Sequence, residues 1–451
     1  MAHFDVSGLQ AAADQLGEQG IDVVRLGYAD IIGTDRGRDV LVNRFPRTVS
    51  SGVAFCRSVF GTTPRGGVVD IEGGLSAGLP DILAFPDITT LLPIPWEPGV
   101  AHCIADMYNP DGTPAEESPR QVLRTVVAKF AELDMVPIVG PELEFYLLEE
   151  SKESPSGWRR YGEGTGNVYV SGLKGDPENV LLDSLRKLGD YGIEVISANH
   201  EFSSGQFEIN LWHGPALDAA DRAHRFKHAV KELALHEGRL ATFMPKPFND
   251  EGGSGYHLHF SMWSTDRKTP LFDDPEGPHG LSKLARHAVA GILAHAPALA
   301  AVANPTINSY KRFGPDTLAP WLVDWGMDNR SAMVRIPPER GSASRMELRL
   351  GDASANSYLA IAGMLAGALL GIRDELEPPE PLVGYGYDPS RSDQLPQTLG
   401  EALDAYEADT DFAAVLGEPF TKAFLTYKRD EIERFNHWIT DWEFHEYTYH
   451  L

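Results

Sequence analysis

The stretch Val139–Leu148, VGPELEFYLL, has the apolar character of a buried strand, yet it carries two glutamates where valines would be expected. Side chains two residues apart in a strand share a face, so Glu142 and Glu144 lie together, with Leu143 and Phe145 on the opposite face. A charged side chain is rarely buried unless it is paired or binds a cation. The stretch therefore predicts a strand that presents carboxylates to a functional cavity.

Further segments show the same alternation of polar and apolar residues. The polar faces hold His257, His259 and Ser261 in SGYHLHFSMW, Arg345, Glu347 and Arg349 in SRMELRL, and Glu201 and Glu208 in ANHEF and QFEINL, which the turn SSG pairs so that the two glutamates face each other. One such strand is typical of a sheet with one face in solvent. Four together, carrying Glu, His and Arg rather than Thr, Ser and Lys, favour a common polar cavity.

Electrostatics restricts what this cavity holds. Two like charges about 4 Å apart repel by roughly 4 kcal/mol at an effective dielectric constant of 20, so five converging glutamates require cations among them. Oxygen ligands with a single imidazole suit Mg²⁺ or Mn²⁺, whereas zinc prefers more His or Cys. The interleaved arginines suit phosphate, which they bind bidentately. Metal, arginine and phosphate together indicate phosphoryl transfer and a nucleotide-dependent enzyme.

Composition excludes several other classes of protein. The net charge of −26 argues against nucleic acid or an anionic membrane as partner, since both would be repelled. The longest apolar run, the 15 residues Tyr358–Ile372, is too short to span a bilayer and predicts a buried core helix. Only two cysteines, Cys56 and Cys103, are present, and no run resembles a signal peptide, so we expect a cytoplasmic protein without disulfides.

The order of patterns along the chain predicts an α+β protein of two domains. Residues 1–110 alternate short strand-like runs, among them GGVVDIEGG, with turns. A helix with Ser118 as N-cap and Pro119 at its first position then opens a larger domain, residues 111–451. There, short strands alternate with long helices such as Leu217–Leu240.

Six motifs resemble, in order and spacing, those of class I glutamine synthetases. They are GPELEF, NHEFSSGQFEINL, FMPKPFNDEGGSGYHLHFSM, NPTINSYKRFGP, NRSAMVRIP and SRMELRLGDASANSYLA, and the resemblance extends from VRLGYADIIGTDRGRDVLV near the start to WEFHEYTYHL at the end. It implies a small N-terminal β-grasp domain and a catalytic domain built on a curved antiparallel sheet. It also implies a dodecamer of two six-membered rings, with each active site at a subunit boundary.

The resemblance further implies a reaction and its ligands. ATP would activate the γ-carboxylate of L-glutamate as γ-glutamyl phosphate, which an amine then attacks, with two or three Mg²⁺ or Mn²⁺ ions bound. At matching positions, Glu144, Glu201 and Glu208 are the expected ligands of one ion and Glu142, His257 and Glu347 those of another. The two carboxylates of PELEF would thus serve two different metals from one strand face.

Other matching positions concern the substrates. Arg312 and Arg349 match residues that hold glutamate and the transferring phosphoryl group, Arg330, Arg335 and Arg345 match residues facing the nucleotide phosphates, Ser261 matches a nucleotide contact, and Gly253 matches a backbone contact to glutamate. Of these, Arg312, Arg330 and Arg349 are the candidate catalytic residues, and Glu144 borders the substrate as well as a metal. For His259, a role beside the metal ligands or the nucleotide and a structural role are equally open.

The sequence departs from ammonia-using glutamine synthetases at two acids. Those enzymes carry an FDGS-type aspartate in the N-terminal domain, where AFCRSVFG places Cys56 or Arg57. They also carry a glutamate in a flap of the form KR…P.YEAP, where KRFGPDTLAP places Leu318. Asp316 lies two residues earlier and would replace that glutamate only in a rearranged loop.

The missing acids predict a wider, less anionic amine pocket, bordered by Phe313, Leu318 and Trp321. Because leucine is no general base, the amine must arrive neutral or lose its proton elsewhere. Two smaller departures are Gly252, where many relatives have asparagine in the glutamate-binding loop, and LVGYGYDPSR in place of the regulatory NLYDLP segment. The latter argues against adenylylation at Tyr385 or Tyr387.

These departures favour a ligase that joins glutamate to an organic amine, in the manner of the γ-glutamylpolyamine, γ-glutamylethanolamide and γ-glutamylalkylamide synthetases. The alternatives are a true glutamine synthetase with a displaced acid and a catalytically inactive structural or sensing homologue, although all six metal positions hold residues of the expected types. Polyamines would suit an acidic entrance at Asp316 and Asp324, whereas ethanolamine or an aromatic amine would suit an apolar rim. The sequence does not choose among these amines.

Overall fold

The computed structural model describes residues 7–154, 156–164, 167–315, 317–449 and 451. Asp316, which the sequence offered as a displaced acid, lies outside these residues. The strands are β1 Val23–Ala29, β2 Asp35–Leu41, β3 Val53–Cys56, β4 Asp81–Pro86, β5 Leu92–Pro93, β6 Val100–Tyr108, β7 Met135–Glu150, β8 Trp158–Arg160, β9 Val195–His200, β10 Gln206–Leu211, β11 Gly214–Pro215, β12 Leu240–Thr242, β13 Tyr256–Ser264, β14 Trp325–Met327, β15 Val334–Ile336 and β16 Met346–Leu348.

The α-helices are α1 Ser7–Glu18, α2 Phe45–Val49, α3 Pro119–Ala131, α4 Val180–Asp190, α5 Ala216–His236, α6 Lys283–Ala294, α7 Ala296–Ala303, α8 Ser357–Arg373, α9 Leu399–Ala408, α10 Thr410–Leu416, α11 Glu418–Asn436 and α12 Asp441–Tyr447. Within the described residues, all sixteen strands precede residue 350, and four helices follow residue 398. The helices α3, α5, α6 and α8 pack against one another or against the large sheet in the middle of the chain.

The first sheet has the strand order β2-β1-β6-β4-β3, with β5 added to β6. Strands β1 and β2 are antiparallel, whereas β1 and β6 are parallel. The expected strand in GGVVDIEGG, residues 66–74, is absent, and its only pairing is an isolated bridge from Val68 to Thr62. Gly66 and Gly73, near the two ends of this segment, have positive φ, which is not the conformation of a strand. We keep the division at residues 110 and 111, between β6 and α3, as a proposal.

The second sheet has the order β14-β15-β16-β13-β7-β10-β9, and β8, β11 and β12 also pair with β7. The 16-residue strand β7 is its central member and pairs antiparallel with β13 and β10. Leu143 and Phe145 of β7, together with Leu258 and Phe260 of β13, are buried in the hydrophobic core. The polar residues that alternate with them therefore lie on the other face, as the sequence pattern predicts.

The core helix predicted at Tyr358–Ile372 is confirmed, since α8 is buried along nearly its whole length. The helix predicted at Leu217–Leu240 is four residues too long at its end: α5 ends at His236, Gly238 adopts φ 68°, and the chain then enters β12. Ser118 has the extended backbone of an N-cap, but its side chain makes no capping hydrogen bond.

Both cysteines are free. Over the described ranges, no single helix combines the length and hydropathy that a membrane crossing needs, although the bent pair α6 and α7 passes that test together.

Candidate active site

The register of the large sheet brings together carboxylates and imidazoles that are far apart in sequence. Across β7 and β13, His257 lies opposite Glu142, and across β7 and β10, Glu208 lies opposite Glu144. The His257 imidazole Nδ1 lies 2.9 Å from Glu142 Oε1 and 3.8 Å from Glu347 Oε1. Period-two alternation in four neighbouring strands, β16, β13, β7 and β10, thus builds one polar cluster on one face of the sheet.

Glu142, Glu208 and His257 form a group whose ligand atoms all lie within 4.8 Å of one another. Glu144 Oε1 lies 3.9 Å from His257 Nε2, which places it beside the same group. The sequence assigned these residues to two separate ions, whereas the compact group takes members from both sets. The assignment of individual ligands to individual ions stays a prediction.

Glu201 and Glu208 do not face each other directly, which corrects the register expected from the sequence. In the hairpin of β9 and β10, Glu208 lies opposite Asn199. The Glu201 backbone N–H instead donates to Gln206, because the hairpin closes tightly between Ser203 and Gln206. The Glu201 carboxylate accepts a hydrogen bond of 2.9 Å from Asn199 Nδ2 and so stays beside the cluster.

Crowding of negative charge perturbs the pKa values of these carboxylates. Burial and the charges of Glu142 and Glu144 raise the pKa of Glu208 to about 11, and burial together with Glu144 raises the pKa of Glu201 to about 7. Although burial opposes it, hydrogen bonding to His257 and His259 holds the pKa of Glu142 well below its ordinary value. A cluster with more carboxylates than partners is suited to divalent cations, so the residues present fit the implied Mg²⁺ or Mn²⁺.

Two amide side chains in this cluster were not among the residues singled out from the sequence. Asn210 Nδ2 donates to Glu142 Oε2 at 2.6 Å, and Gln206 Nε2 donates to Glu144 Oε2 at 3.2 Å and to the Gly253 carbonyl at 2.9 Å. Both lie on the same face of β10 as Glu208. The alternation in QFEINL could have predicted this, because residues two apart in a strand share a face and Gln206, Glu208 and Asn210 have that spacing.

The glycines before β13 allow the backbone to approach the site closely. A Cβ atom on Gly253 would lie 2.6 Å from Arg312 Cγ and 2.8 Å from the Pro245 carbonyl oxygen. The Gly255 N–H donates to Glu144 Oε2 at 2.8 Å, and a Cβ there would lie 2.7 Å from His257 Nε2. The Arg312 side chain is buried and donates to the Gly351 carbonyl at 3.1 Å. Gly253 and Arg312, both predicted to contact glutamate, are therefore in direct contact.

The other predicted arginines lie around Glu347 and His259. Arg335 Nη1 and Arg349 Nη1 lie 2.6 and 2.5 Å from the two oxygens of Glu347. Although burial opposes it, the charge of Arg349 lowers the pKa of Glu347 to about 2. Arg330 is exposed, and its carbonyl accepts a hydrogen bond of 3.0 Å from Arg349 Nε.

A cavity of about 670 Å³ opens beside this cluster. Ser261 and Arg345, both predicted to contact the nucleotide, line it together with Glu142 and His259. Arg345 Nε lies 3.3 Å from His259 Nδ1, and His259 Nε2 lies 3.4 Å from Glu142 Oε2. His259 thus connects the cavity wall to the carboxylate cluster, which favours a role beside the metal ligands or the nucleotide.

The cavity also has apolar and aromatic walls, which sequence analysis did not identify. Ile138, Ile196, His213 and Trp263 contribute to its lining. Trp263 Nε1 donates to Ser261 Oγ at 3.1 Å. Such a mixture of flat apolar surface and a few polar groups is typical of a small-molecule site.

The loop after Arg312 carries the residues expected to border the amine. Leu318 is 41% exposed and has a positive φ of 59°. Phe313 packs edge-on against Tyr310, with ring centroids 5.7 Å apart. The Trp321 indole N–H donates to Gln397 Oε1 at 3.0 Å, so its polar edge points toward residue 397.

The structure describes two further positions that the sequence placed near the amine, Asp324 and the pair Cys56 and Arg57. Asp324 is only 4% exposed and accepts a hydrogen bond from the Met333 N–H, so it does not form an acidic entrance for polyamines. Arg57 is bound to Glu117 at 2.8 Å, and the half-buried Cys56 lies beside the Leu79 carbonyl. Neither Cys56 nor Arg57 supplies a negative charge.

A curled, largely antiparallel sheet that presents carboxylates, imidazoles and arginines to one cavity is the architecture of the glutamine synthetase class of enzymes. The glutamine synthetase catalytic domain matches residues 116–447 of the chain. The chain therefore belongs to the glutamine synthetase family of glutamate ligases, and the predicted α+β fold is confirmed.

Individual relatives cover nearly the whole chain. It is 35% identical to a glutamine synthetase of Thermotoga maritima, across 96% of this chain and 97% of the relative. It is 34% identical to a glutamate–isopropylamine ligase of Pseudomonas sp, across 96% of each. A solved structure described as "GmaS/ADP complex-Conformation 1" superposes with a TM-score of 0.85 at 33% identity, covering 97% of this chain and 99% of that one.

Proposed function

We propose that the protein is an ATP-dependent ligase that joins the γ-carboxylate of L-glutamate to an organic amine. A γ-carboxylate oxygen attacks the γ-phosphorus of ATP, and ADP leaves. The amine nitrogen then attacks the acyl carbon of γ-glutamyl phosphate, inorganic phosphate leaves, and the nitrogen loses one proton. The products are a γ-glutamyl amide, ADP, phosphate and a proton.

The carboxylate cluster supports the cofactor part of this proposal. Glu142, Glu144, Glu208 and His257 would hold Mg²⁺ or Mn²⁺, with Glu201 and Glu347 at the margins of the group. The bound cations would neutralise negative charge on the phosphates. Glu142, Glu144, Glu208 and His257 are carried by the paired strands β7, β10 and β13, which supports their proposed role as ligands because paired strands hold these side chains close together.

The arginines support the phosphate and glutamate part. Arg349 and Arg335 are oriented by Glu347. Arg312 donates to the Gly351 carbonyl and lies against Gly253. Planar guanidinium groups held in this way are suited to carboxylate and phosphate oxygens. Ser261 and Arg345 line the cavity of about 670 Å³ that would take the nucleotide.

The single observation that carries the choice of an organic amine is the exposed Leu318 in the loop after Arg312. An apolar side chain gives an ammonium ion no electrostatic stabilisation and removes no proton from it. It does offer contact to the carbon chain of an amine. The 34% identical glutamate–isopropylamine ligase shows that relatives at this distance include a protein named for an organic amine.

The second candidate is glutamine synthetase itself, with ammonia as the acceptor. The names of the Thermotoga maritima and Methanocaldococcus jannaschii relatives favour it, at 35% and 34% identity. An inactive homologue is the least favoured alternative, since each predicted metal position holds a residue of the expected type. Assembly into a dodecamer of two hexameric rings and location in the cytoplasm stay further parts of the proposal.

Phosphate release tests the choice of acceptor. The purified protein is incubated with ATP, Mg²⁺ and L-glutamate, and only the amine is varied: ammonium, methylamine, isopropylamine, ethanolamine, putrescine, spermine and aniline. We expect at least one organic amine to give a higher kcat/KM than ammonium, with a product of the mass of its γ-glutamyl amide. A higher kcat/KM for ammonium would establish the second candidate instead, and no turnover with any acceptor would favour the inactive homologue.

A further inference from the structure

The segment Gly384–Tyr387 lies against the loop that carries Leu318. The Tyr387 hydroxyl donates a hydrogen bond of 3.0 Å to the Ala319 carbonyl. Both residues are buried: Tyr387 is 9% exposed and Ala319 is 2% exposed. The bond therefore joins two chain segments 68 residues apart between two largely buried residues.

The same segment is also attached to the turn that carries Arg330. The Gly386 N–H donates to Ser331 Oγ at 2.9 Å, and Asn329 Nδ2 donates to the Gly384 carbonyl at 2.7 Å. In the same turn, the Arg330 carbonyl accepts a hydrogen bond from Arg349 Nε. Residues 384–387 thus lie between the loop on the amine side and the arginines of the site.

The loop around Leu318 needs such support, because its backbone is strained. Leu318 has φ 59°, a conformation that costs a residue with a Cβ free energy and persists only where the surroundings hold it. On one side, Thr317 Oγ1 donates to the Gly314 carbonyl at 2.7 Å. On the other side, the hydrogen bond from Tyr387 fixes the carbonyl of the very next residue, Ala319.

The phenol keeps its proton at ordinary pH. Burial raises the pKa of Tyr387 to about 12, although the nearby charges of Arg312 and Arg349 act in the opposite direction. The hydroxyl therefore remains a donor, and it does so within electrostatic reach of two arginines of the site. A phenylalanine ring would fill the same space without the hydrogen bond.

We propose that Tyr387 is a positioning residue that holds the loop Thr317–Pro320 over the amine side of the active site and thereby sets the affinity for the acceptor. The role as an acceptor-affinity determinant rests on the proposed function, in which Leu318 borders the amine. Tyr387 acts through the Ala319 carbonyl and does not touch the reacting atoms. Its loss is expected to affect the acceptor more than ATP.

The test compares Tyr387→Phe with Tyr406→Phe in the full-length protein. Tyr406 is a fully buried tyrosine whose hydroxyl lies 2.9 Å from Thr421 Oγ1, among the helices α9 to α11. Both variants lose a phenol hydroxyl and the hydrogen bond that it makes, to the Ala319 carbonyl in one case and with Thr421 Oγ1 in the other. Only Tyr387→Phe releases the loop next to the site.

We expect Tyr387→Phe to raise the KM of the best acceptor by about fivefold or more, the effect of losing one buried hydrogen bond, with the KM of ATP unchanged. Amide hydrogen exchange at Leu318 and Ala319 should be faster in Tyr387→Phe than in the wild type and unchanged in Tyr406→Phe. Wild-type acceptor KM together with wild-type exchange at these two amides would overturn the inference. So would equal increases in the KM values of ATP and acceptor in both variants.

The outcome is separable from that of the proposed function. The acceptor panel is first run on the wild type, and the KM comparison then uses whichever acceptor is best, ammonium included. If ammonium is best, the proposed preference for an organic amine is wrong, yet faster exchange and a raised ammonium KM in Tyr387→Phe still support the positioning role. If an organic amine is best and Tyr387→Phe matches the wild type, the positioning role alone is wrong.

Discussion

Glu142 and His257 lie directly opposite each other on β7 and β13, and their side chains meet with Nδ1 2.9 Å from Oε1. This contact centres the polar cluster, because Glu208, Glu347 and Asn210 all lie next to one of the two residues. Although burial opposes it, hydrogen bonding to His257 and His259 holds the pKa of Glu142 well below its ordinary value, whereas burial and the charges of Glu142 and Glu144 raise the pKa of Glu208 to about 11. A divalent cation would allow both carboxylates to ionise.

Glu142→Gln should therefore weaken metal binding by at least about tenfold, the lower end of the losses seen when groups around a metal are removed. Glutamine has the same shape but lacks the charge that binds the cation. The measurement is the rise in melting temperature on adding Mn²⁺ with ATP, since a ligand that binds only the folded state stabilises it. We expect a clear rise in the wild type and a much smaller one in the variant at the same concentrations.

Glu149→Gln is the matched control for this experiment. Glu149 lies on the same strand, β7, but pairs with Arg159 at 3.0 Å, outside the cluster. Its replacement should leave the ligand-dependent shift at the wild-type value. Equal shifts in all three proteins would show that Glu142 does not contribute to metal binding.

Gly253→Ala should reduce activity through Arg312. The added Cβ would lie 2.6 Å from Arg312 Cγ and 2.8 Å from the Pro245 carbonyl oxygen, so the arginine side chain must move. Misplacement of a binding group by about 1 Å can cost about 100-fold in rate. We expect a loss of that order in kcat/KM for glutamate, with a smaller change in the KM of ATP.

The control is Gly189→Ala, at a glycine in α4 with nothing within 4 Å of the added Cβ. It should leave kcat/KM for glutamate unchanged. A Gly253→Ala enzyme with wild-type kinetics would mean that Arg312 does not need its present position to bind glutamate.

The site could be predicted from the sequence where alternation alone decides the geometry. In PELEF and YHLHFS, polar and apolar residues alternate with a period of two, so the sequence predicts that Glu142 and Glu144 share one face of their strand and that His257 and His259 share one face of theirs. The relative register of β9 and β10 could not be obtained in this way, because a tight turn at Ser203 shifts the pairing by its own geometry. Expecting Glu201 opposite Glu208 was therefore wrong.

Contacts between distant segments left no pattern in the sequence. The hydrogen bond from Tyr387 to Ala319 depends on how two loops pack, and neither loop has periodic residues. The burial of Asp324 could not be predicted from the sequence either, because no alternation of polar and apolar residues surrounds this aspartate. Such features depend on tertiary packing, which overrides local preference.

Asp324 should make stability depend on pH. Burial raises its pKa to about 6, above the ordinary value of 3.8. The folded state thus binds a proton more tightly than the unfolded state, so stability falls as pH rises from about 4 to about 6 and then levels off. Asp324→Asn lacks this titration, while its amide oxygen can still accept from the Met333 N–H.

We therefore expect the free energy of unfolding of the wild type to fall relative to Asp324→Asn across this window, by about 2 kcal/mol in total. Denaturant titrations at pH 4.5, 5.5, 6.5 and 7.5 measure the difference. Parallel curves for the two proteins would show that Asp324 ionises in the folded state as readily as in the unfolded chain.

Leu318→Glu should shift the acceptor preference toward ammonium. A carboxylate about 4 Å from an ammonium ion attracts it by roughly 4 kcal/mol at an effective dielectric constant of 20 and can also accept its proton. We expect the ratio of kcat/KM for ammonium to that for the best organic amine to rise by about tenfold or more, a conservative fraction of that attraction. The ratio is obtained from phosphate release with each acceptor.

Leu318→Gln separates charge from shape in this experiment. Leucine, glutamine and glutamate are all unbranched at Cβ, so the strain of φ 59° at this position is similar in the three proteins. If charge near the amine decides the preference, glutamine leaves the ratio close to the wild-type value while glutamate raises it. If the two variants change the ratio equally, Leu318 acts only through its size, and the proton of the amine must be removed by another group. If neither variant changes the ratio, residue 318 does not border the acceptor at all.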